Sequence, residues 1–374
     1  MTNQHLAHGM AGDHTAPDWP PLQAREVAAV LERVPAAGAP RGLRWHSPRP
    51  LSAAALVETA HGRLFVKRHH VSVRTLATLP EEHRFARHLA ARGIPVPALL
   101  EDTDGQTAIR IGDWVYEVQE PAAGVDLYRE LMSWQPPHAL AHARAAGDML
   151  GRLHRAAADY EAPQRGTHIL VARSEILGAA DPVAGLENQL PSRPGLADYL
   201  ENRNWRAELA AALQPWHDIA RPRLATLPAL WTHGDWHVSN LFWTGEDADA
   251  TVSSVLDFGL SARNFALFDL ATAIERNAIA WLKPPERRAR PDIAGALIDG
   301  YHEQQPLDGH ALELLAALLP LVHVDFALSE VEYFHAITRD PANANTAWHA
   351  FLIGHAEWFR TVPGRSMLDS IATR

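Results

Sequence analysis

Short, largely apolar runs of strand length, separated by turn residues, recur within residues 44–119. The four apolar runs are residues 54–58, 64–67, 106–111 and 114–118. The pair His61 and Gly62 separates the first two runs, and Gly112 and Asp113 separate the last two. Runs of this length interrupted by such pairs are typical of β-hairpins. The pattern predicts a small antiparallel sheet of about five strands, with Lys67 at the end of the second strand.

A change to helical spacing between the two hairpins predicts a helix over residues 80–91. Pro80 suits the first turn of a helix, where its missing N–H costs nothing. Glu81 and Glu82 follow in the same turn, where the helix dipole favours acids, and Gly93 is a C-terminal stop.

Residues 119–124 follow the last apolar run and are the predicted crossover to a second lobe, where apolar positions recur at helical spacing. The long helical stretches predicted there are residues 140–157, 206–225, 268–282, 293–302 and 311–335. Residues 181–194 are rich in proline, which predicts an internal loop.

The order of these elements predicts an α+β fold in three parts. Residues 1–40 form an extension with one short helix at 23–34, residues 41–121 form the sheet lobe, and residues 122–374 form a larger helical lobe. At 374 residues and 47% hydrophobic composition, the chain can supply a core to each lobe.

Composition narrows the function classes. No apolar run of membrane-spanning length or hydrophobic signal core is present, and there are no cysteines, so we expect a soluble cytoplasmic protein without membrane association. The net charge of −10 argues against a nucleic-acid partner. Residues 299–340 carry eight acids against one base, which could attract a cationic substrate or be a solvated helix surface. Composition does not set the oligomeric state.

One spacing of acids and an amide indicates phosphoryl transfer. Asp235 and Asn240 are five residues apart in a His-x-Asp-x-x-x-x-Asn pattern, and Asp257 opens an Asp-Phe-Gly triplet downstream. In kinases such an acid accepts the proton of the acceptor hydroxyl, and the amide and the second acid bind magnesium. His233, Asp235 and His237 also alternate, as transition-metal ligands on an extended segment do, so a metallohydrolase is a remote alternative.

These motifs resemble those of the aminoglycoside phosphotransferase and choline kinase superfamily, whose members carry His-Gly-Asp-x-x-x-x-Asn and Asp-Phe-Gly. The resemblance implies a bilobal protein-kinase-like fold that binds ATP and Mg²⁺ between its lobes. It implies transfer of the γ-phosphoryl group to a hydroxyl of a small molecule, such as an amino alcohol, a homoserine-like amino acid or an aminoglycoside. A Ser/Thr protein kinase of the same fold and a catalytically silent nucleotide-binding module are the alternatives.

The resemblance also implies roles for individual residues. Lys67 would hold the ATP phosphates and pair with Glu82, for which Glu81 is a rival, and Asp269 would support the catalytic loop. The hinge residues that would bind adenine through their backbone are Gln119, Glu120 and Ala122.

A glycine-rich phosphate loop is missing from the sequence, and residues 46–52 are the best replacement. Ser52 and Arg49 could touch phosphate there, or could be a loop cap and an exposed cation. His233 is predicted to be structural, and His237 either lies near the acceptor or faces solvent.

Candidates for the acceptor pocket come from the helical region after Asp269. They are Glu275, Arg276, Trp281, Asp325, Glu330, Glu332 and Tyr333. Asp325 and Glu330 would suit an amine-bearing alcohol, whereas Arg276 would suit a carboxylate.

Overall fold

A five-stranded antiparallel sheet forms the N-terminal lobe, with the strand order β3-β4-β5-β7-β6. The computed structural model describes residues 17–129 and 135–374, together with the backbone of two short paired strands before them. The strands of the first 119 residues are β1 His5–Leu6, β2 His14–Thr15, β3 Pro40–His46, β4 Ala53–Thr59, β5 Gly62–His70, β6 Ile109–Ile111 and β7 Trp114–Gln119. The predicted sheet is confirmed, and its fifth strand is β3.

The two faces of this sheet have different roles. Helix α1, Ala24–Leu31, buries Val27 and Val30 against one face. Successive residues of β5 point to opposite faces of the sheet, and Phe65 and Lys67 line a cavity on the face away from α1. The alternation of side-chain direction in β4 and β5 therefore separates a structural face from a binding face.

Helix α2, Leu79–Ala91, joins the sheet to the helical lobe. Its Phe85 and Leu89 are fully buried in the large core that continues into that lobe. Gly93 follows with a φ of 83°, a left-handed conformation that ends the helix as predicted.

The rest of the chain is mainly helical. Its helices are α3 Leu140–Ala157, α4 Glu175–Gly178, α5 Pro182–Gln189, α6 Pro194–Leu200, α7 Trp205–Leu224, α8 Ala266–Ala278, α9 Pro291–Gln304, α10 Gly309–Leu318, α11 Val324–Glu332, α12 Pro341–Thr346, α13 Gly354–Trp358 and α14 Val362–Ala372. Four short strands carry the catalytic segments: β8 Leu230–Thr232, β9 Leu241–Trp243, β10 Val252–Val255 and β11 Ala262–Asn264. β8 pairs with β11 and β9 with β10, both antiparallel.

Close contact between α3 and α9 depends on two glycines. A Cβ atom on Gly147 would collide with the carbonyl of Leu297, and one on Gly300 would collide with the carbonyl of Arg144. The two backbones therefore touch, which fixes α3 beneath the catalytic segments.

Three elements differ in their bounds from the sequence predictions. β5 continues past Lys67 to His70, because Arg68 and His69 are each buried on opposite faces with acidic partners. The stretch 311–335 is two helices, since Pro320 cannot continue α10. The stretch 268–282 leaves the helix at Ile279, which turns to extended backbone.

Residues 181–194 are not a loop. Asp181 caps α5 by accepting from the N–H groups of Val183 at 2.7 Å and Ala184 at 3.0 Å, and Pro182 occupies the first turn. The proline that suggested a break is in fact at a helix start.

Four of the eight acids in residues 299–340, among them Glu303, have basic partners from other segments. Asp299 pairs with Arg374, Glu313 with Arg223, and Glu332 with Arg193. Asp299, Glu303 and Glu313 are therefore ion-paired on the surface, whereas Asp325, Glu330 and Glu332 are buried. Among the helices described, none combines the length and apolar character needed to cross a membrane.

Candidate active site

The predicted catalytic loop, residues 233–240, follows β8 and is held from below by α8. Asp269 is fully buried and accepts from the backbone N–H of His233 at 2.8 Å and of Gly234 at 2.9 Å. Gly234 has a φ of 76°, and a Cβ there would lie 2.6 Å from the carbonyl oxygen of Leu260. The predicted supporting role of Asp269 matches this geometry.

A buried histidine completes the support. His154 of α3 lies with its Nε2 3.1 Å from Asp269. Burial raises the pKa of Asp269, but the hydrogen bond and charge of His154 outweigh it and hold the pKa below its usual value. Asp269 therefore accepts its hydrogen bonds as a carboxylate.

Both ring nitrogens of His233 are used within the loop. Its Nε2 is 2.8 Å from the carbonyl oxygen of Leu256, and its Nδ1 accepts from the N–H of Asp235 at 3.2 Å. His233 is thus structural, as predicted, and has no nitrogen left for a metal. In the part of the chain that the structure describes, the only metal-ligand grouping is His69, Glu82 and Glu117, which leaves the metallohydrolase alternative without its ligand set.

Asn277 of α8 holds the far end of the same loop. Its Oδ1 accepts from Val238 N–H at 3.0 Å, and its Nδ2 donates to the carbonyl of Trp236 at 2.8 Å. The sequence reasoning missed this residue. Its only signal was an amide on a helix that is otherwise buried on nearly every side.

Asp235 and Asn240 meet as the motif predicts. The Nδ2 of Asn240 donates to both the Oδ2 and the carbonyl oxygen of Asp235, each at 3.0 Å. Because the side-chain N–H groups of Asn240 donate to Asp235, its side-chain carbonyl oxygen is available to bind a cation. His237 is 3% exposed with Nε2 3.5 Å from Asp235, so it does not face solvent.

Asp257 reaches the same place from β10. It adopts a left-handed conformation with a φ of 57°, which aspartate tolerates, and its Oδ1 accepts from Lys67 Nζ at 3.0 Å. Burial raises its pKa, but the charge and hydrogen bond of Lys67 bring the pKa down to about 2. Asp257 is therefore ionised at any working pH.

The predicted ion pair between Lys67 and Glu82 does not form. Glu82 accepts instead from Arg165 at 2.7 Å and from Arg74 at 3.3 Å, and both arginines are buried. Two guanidinium groups compensate a buried carboxylate better than one ammonium shared with Asp257. Glu81 is no substitute, because it also pairs with Arg165, at 3.0 Å.

Glu117 is the acid that stands opposite Lys67 across the β5–β7 pair. Residues directly opposite in antiparallel strands share a face. Glu117 is buried and lies 2.6 Å from His83 Nε2, and burial is outweighed by its two histidine partners, so its pKa is well below the usual value. Strand register identifies this acid, whereas motif spacing did not.

A cavity of about 730 Å³ separates the two lobes beside these residues. Its volume lies within the range of small-molecule sites. Its walls include the predicted nucleotide and metal residues Ser52, Lys67, Glu82, Gln119, Glu120, Ala122, Asn240 and Asp257. Asp235 is absent from these walls, so the cavity lies on one side of the candidate base only.

Two predictions about this cavity are sharpened. The N–H of Glu120 already donates to the carbonyl of Ala98 at 2.9 Å, so Glu120 can offer adenine only its carbonyl. Arg49 is not an exposed cation, because it lines the cavity and feels the charges of Asp126 and Asp257.

The acceptor candidates separate into two groups. Arg276 contacts the carboxylate of Asp235 and feels the charge of Glu330. Glu275 and Trp281 do not join them. The Oε1 of Glu275 is 3.0 Å from His355, and the ring of Trp281 stacks on the same histidine at 3.4 Å.

Glu332 at the end of α11 and Tyr333 just after it have side-chain partners of their own. Glu332 accepts from Arg193 at 2.9 Å, and Tyr333 donates to Asp18 at 2.9 Å. Asp325 is 1% exposed, and burial raises its pKa to about 6 despite the charge of Arg193. None of these contacts reaches the catalytic loop directly.

The model of the phosphotransferase enzyme family matches residues 51–307, which contain both motifs and most of the residues that line the cavity. The chain belongs to this family. The extension before residue 51 and the last helices lie outside the match.

Curated relatives are homoserine kinases. One from Methylobacterium radiotolerans is 28% identical over 244 residues, and one from Rhodospirillum rubrum is 30% identical over 233 residues. The matched stretches span 65% and 62% of this chain and 66% and 62% of those relatives.

Solved structures share the fold. An amicoumacin kinase in complex with AMP-PNP and Ca²⁺ matches with a TM-score of 0.58 over 88% of this chain and 93% of that one, at 14% identity. A microcompartment-associated aminopropanol kinase matches with a TM-score of 0.57 over 91% and 99%, also at 14% identity. The predicted bilobal, protein-kinase-like α+β fold is confirmed.

Proposed function

We propose that this protein is an ATP- and Mg²⁺-dependent phosphotransferase that moves the γ-phosphoryl group to a hydroxyl of a small molecule. The observation that carries the proposal is the convergence of Lys67, Asn240 and Asp257 on one cavity wall, with Asp235 bonded to Asn240 beside it. Phosphoryl transfer needs a cationic side chain that binds the phosphates, oxygens that bind the metal, and a base. It needs little covalent chemistry from the protein.

The nucleotide would occupy the interlobe cavity. Ala122 and the carbonyl of Glu120 are the free hinge groups for the adenine edge, and Lys67 and Arg49 are the cations for the phosphates. Ser52 immediately precedes β4 and lines the cavity, and its hydroxyl would donate to phosphate in place of a glycine-rich loop.

The donor set suits magnesium. Asp257 is ionised and 41% exposed in its side chain, and Asn240 has its carbonyl oxygen unspent, so two hard oxygens face the cavity. Bound there by Asp257 and Asn240, the ion would supply positive charge that offsets the charge of the phosphates during the transfer. Lys67 would then leave Asp257 for the phosphates.

Asp235 would orient the acceptor hydroxyl and take its proton. Such a base contributes typically about 10²–10⁴-fold in rate. The N–H groups of Asn240 hold the Oδ2 of Asp235 in place, and the loop beneath is tied to Asp269 and Asn277. Burial and the charge of Arg49 lower the pKa of His237 to about 3. His237 is therefore uncharged at neutral pH and does not exchange a proton with Asp235 there.

The leading acceptor is a homoserine-like amino acid, because the curated relatives are homoserine kinases and the family match covers the catalytic segments. Amino alcohols and aminoglycosides are the other acceptors to compare. The contact between Arg276 and Asp235 favours an acceptor with a carboxylate over one without.

Acceptor-dependent ADP release in a coupled assay tests the proposal. L-homoserine, amino alcohols, sugars and aminoglycosides are each added with ATP and MgCl₂, and the phosphorylated product is identified by mass spectrometry. We expect at least one acceptor to raise ADP release well above the rate with water alone. Magnesium-dependent transfer to a protein Ser or Thr would replace the proposal with a protein kinase, and no turnover at all would leave a silent nucleotide-binding module.

A further inference from the structure

Arg276 lies on the side of Asp235 that faces away from the nucleotide cavity. It contacts the carboxylate of Asp235 and is 2% exposed, and neither residue lines the cavity. Arg276 is seven residues after Asp269 on α8, so the two project from the same helix face. One face of α8 therefore supports the catalytic loop through Asp269 and engages its base through Arg276.

This contact is incompatible with proton acceptance. A carboxylate oxygen engaged by a buried guanidinium cannot take a proton from a hydroxyl until the contact opens or is shared. Leaving either charge buried without a partner would be costly. The contact between Arg276 and Asp235 can open at a small free-energy cost only if a ligand brings an anionic group to Arg276.

Glu330 sets a second condition on that ligand. It is 6% exposed on α11, close enough to Arg276 for each charge to act on the other. Burial favours the protonated form of Glu330, and an acceptor carboxylate that took Arg276 would also offset the charge that favours its ionised form. An ammonium group on the same acceptor would restore the balance.

We propose that Arg276 is the specificity-determining residue of the acceptor site: it engages Asp235 in the empty protein and transfers to the acceptor's carboxylate, while Glu330 receives its ammonium group. The acceptor class is then a hydroxy amino acid, and the base is released only when one binds. This inference rests on the proposed phosphotransferase function.

The chemistry balances without a further reactant. The acceptor hydroxyl oxygen forms a bond to the γ-phosphorus of ATP, the bond between that phosphorus and the β–γ bridging oxygen breaks, and ADP leaves. The hydroxyl proton goes to Asp235. Water, which carries no carboxylate, leaves Arg276 on Asp235 and is therefore a poor acceptor.

Four acceptors of matched length separate the two charges. L-homoserine carries both, 4-hydroxybutyrate lacks the amine, 3-aminopropan-1-ol lacks the carboxylate, and 1-propanol lacks both. For the unmodified protein we expect kcat/KM for homoserine to exceed that for 3-aminopropan-1-ol by about 100-fold or more, since a site built for a polar group rejects analogues without it.

The Arg276→Met variant tests whether this residue is the cause. We expect it to lower kcat/KM for homoserine by about 100-fold, to reduce the preference over 3-aminopropan-1-ol to within about threefold, and to raise ATP hydrolysis in the absence of acceptor. Glu330→Gln should weaken homoserine while leaving 4-hydroxybutyrate within about threefold.

Arg68→Met is the matched control. Arg68 is also a buried arginine paired with an acid, Glu26 at 2.9 Å, but on the outer face of the sheet. It should lose stability in thermal unfolding without a change in acceptor preference. ATP affinity, measured by calorimetry, shows that each variant is folded.

The outcomes are distinct. A preference of the unmodified protein for 3-aminopropan-1-ol, or a homoserine preference that survives in Arg276→Met, would overturn this inference and leave the proposed function intact. No acceptor-dependent ADP release with any of the four compounds, or with the wider acceptor panel, would overturn both.

Discussion

The nucleotide side and the acceptor side of Asp235 hold their charges in different ways. On the nucleotide side, Lys67 and Asp257 border an open cavity, with side chains 13% and 41% exposed. On the acceptor side, Arg276 and Glu330 are 2% and 6% exposed and lie against protein groups. A ligand can therefore enter the nucleotide side as it stands. On the acceptor side, a ligand must replace a protein group that already contacts Arg276.

The largest expected effect lies where the two sides meet. Asp235→Asn removes the proposed base while its amide keeps the shape of the carboxylate, so turnover should fall by about 10²–10⁴-fold. ATP affinity should stay within about threefold, because Asp235 does not line the cavity.

Steady-state kinetics and calorimetry give both values. Asp247→Asn, an exposed acid in the turn after β9, is the surface control. Unchanged turnover in Asp235→Asn would remove the base from the proposal, and lost ATP binding would mean that the two sides are not separate.

A pair of variants compares ligand-binding and structural charges within the nucleotide side. Lys67→Met should raise the Kd of ATP by about 10- to 100-fold, because it removes a phosphate cation. Glu82→Gln should instead lower the free energy of unfolding by about 3 kcal/mol, because it breaks a buried pairing with Arg74 and Arg165.

The Kd of ATP for Glu82→Gln should stay within about threefold of the unmodified protein. Denaturant unfolding and ATP titration measure the two effects separately. A large loss of ATP affinity in Glu82→Gln, with stability preserved, would restore the Lys67–Glu82 pairing that the motif implies.

The sequence predicts some contacts on the nucleotide side of the site better than others. Asp235 and Asn240 are five residues apart on one loop, so their spacing in sequence predicts that they meet, although α8 holds that loop in place. The partner of Lys67 was not predictable in this way. It depends on Arg74 and Arg165, which come from separate segments and compete for Glu82.

The acceptor side shows the other limit. A charged residue on a helix was recognisable as a candidate, but Glu275 and Arg276 are adjacent and have opposite outcomes. One step along a helix turns a side chain by about 100°, so only the packing of α8 decides which of the two meets the loop. The register of β5 against β7, which brings Glu117 opposite Lys67, is likewise a tertiary result.

The acceptor side should also reveal itself in the pH dependence of stability. Burial raises the pKa of Glu330 from 4.5 to about 8, although the charge of Arg276 opposes the shift. The folded state then binds a proton that the unfolded state has lost. The stabilisation is complete below about pH 4.5 and disappears as the pH rises through about 8, with a slope of about 1.4 kcal/mol per pH unit between these values.

Glu330→Gln keeps the neutral form at every pH and should lose this slope. The free energy of unfolding in urea, measured without ligands at pH 5, 6, 7 and 8, gives the difference between the two proteins. Parallel curves would mean that Glu330 is ionised in the folded protein and that the acceptor side does not hold an uncharged acid.

The smallest effect should come from the exposed acids of residues 299–340, which belong to neither side. Glu313 pairs with Arg223 at 2.9 Å, and the two side chains are 50% and 41% exposed. Glu313→Gln should change stability by less than about 0.5 kcal/mol and the KM of the acceptor by less than about twofold, because exposed pairs are weak and screened. Kinetics at 20 mM and 300 mM NaCl test this. A KM that rises several-fold in Glu313→Gln at low salt only would show long-range attraction of a cationic acceptor, and selection would then begin at the surface and not at Arg276.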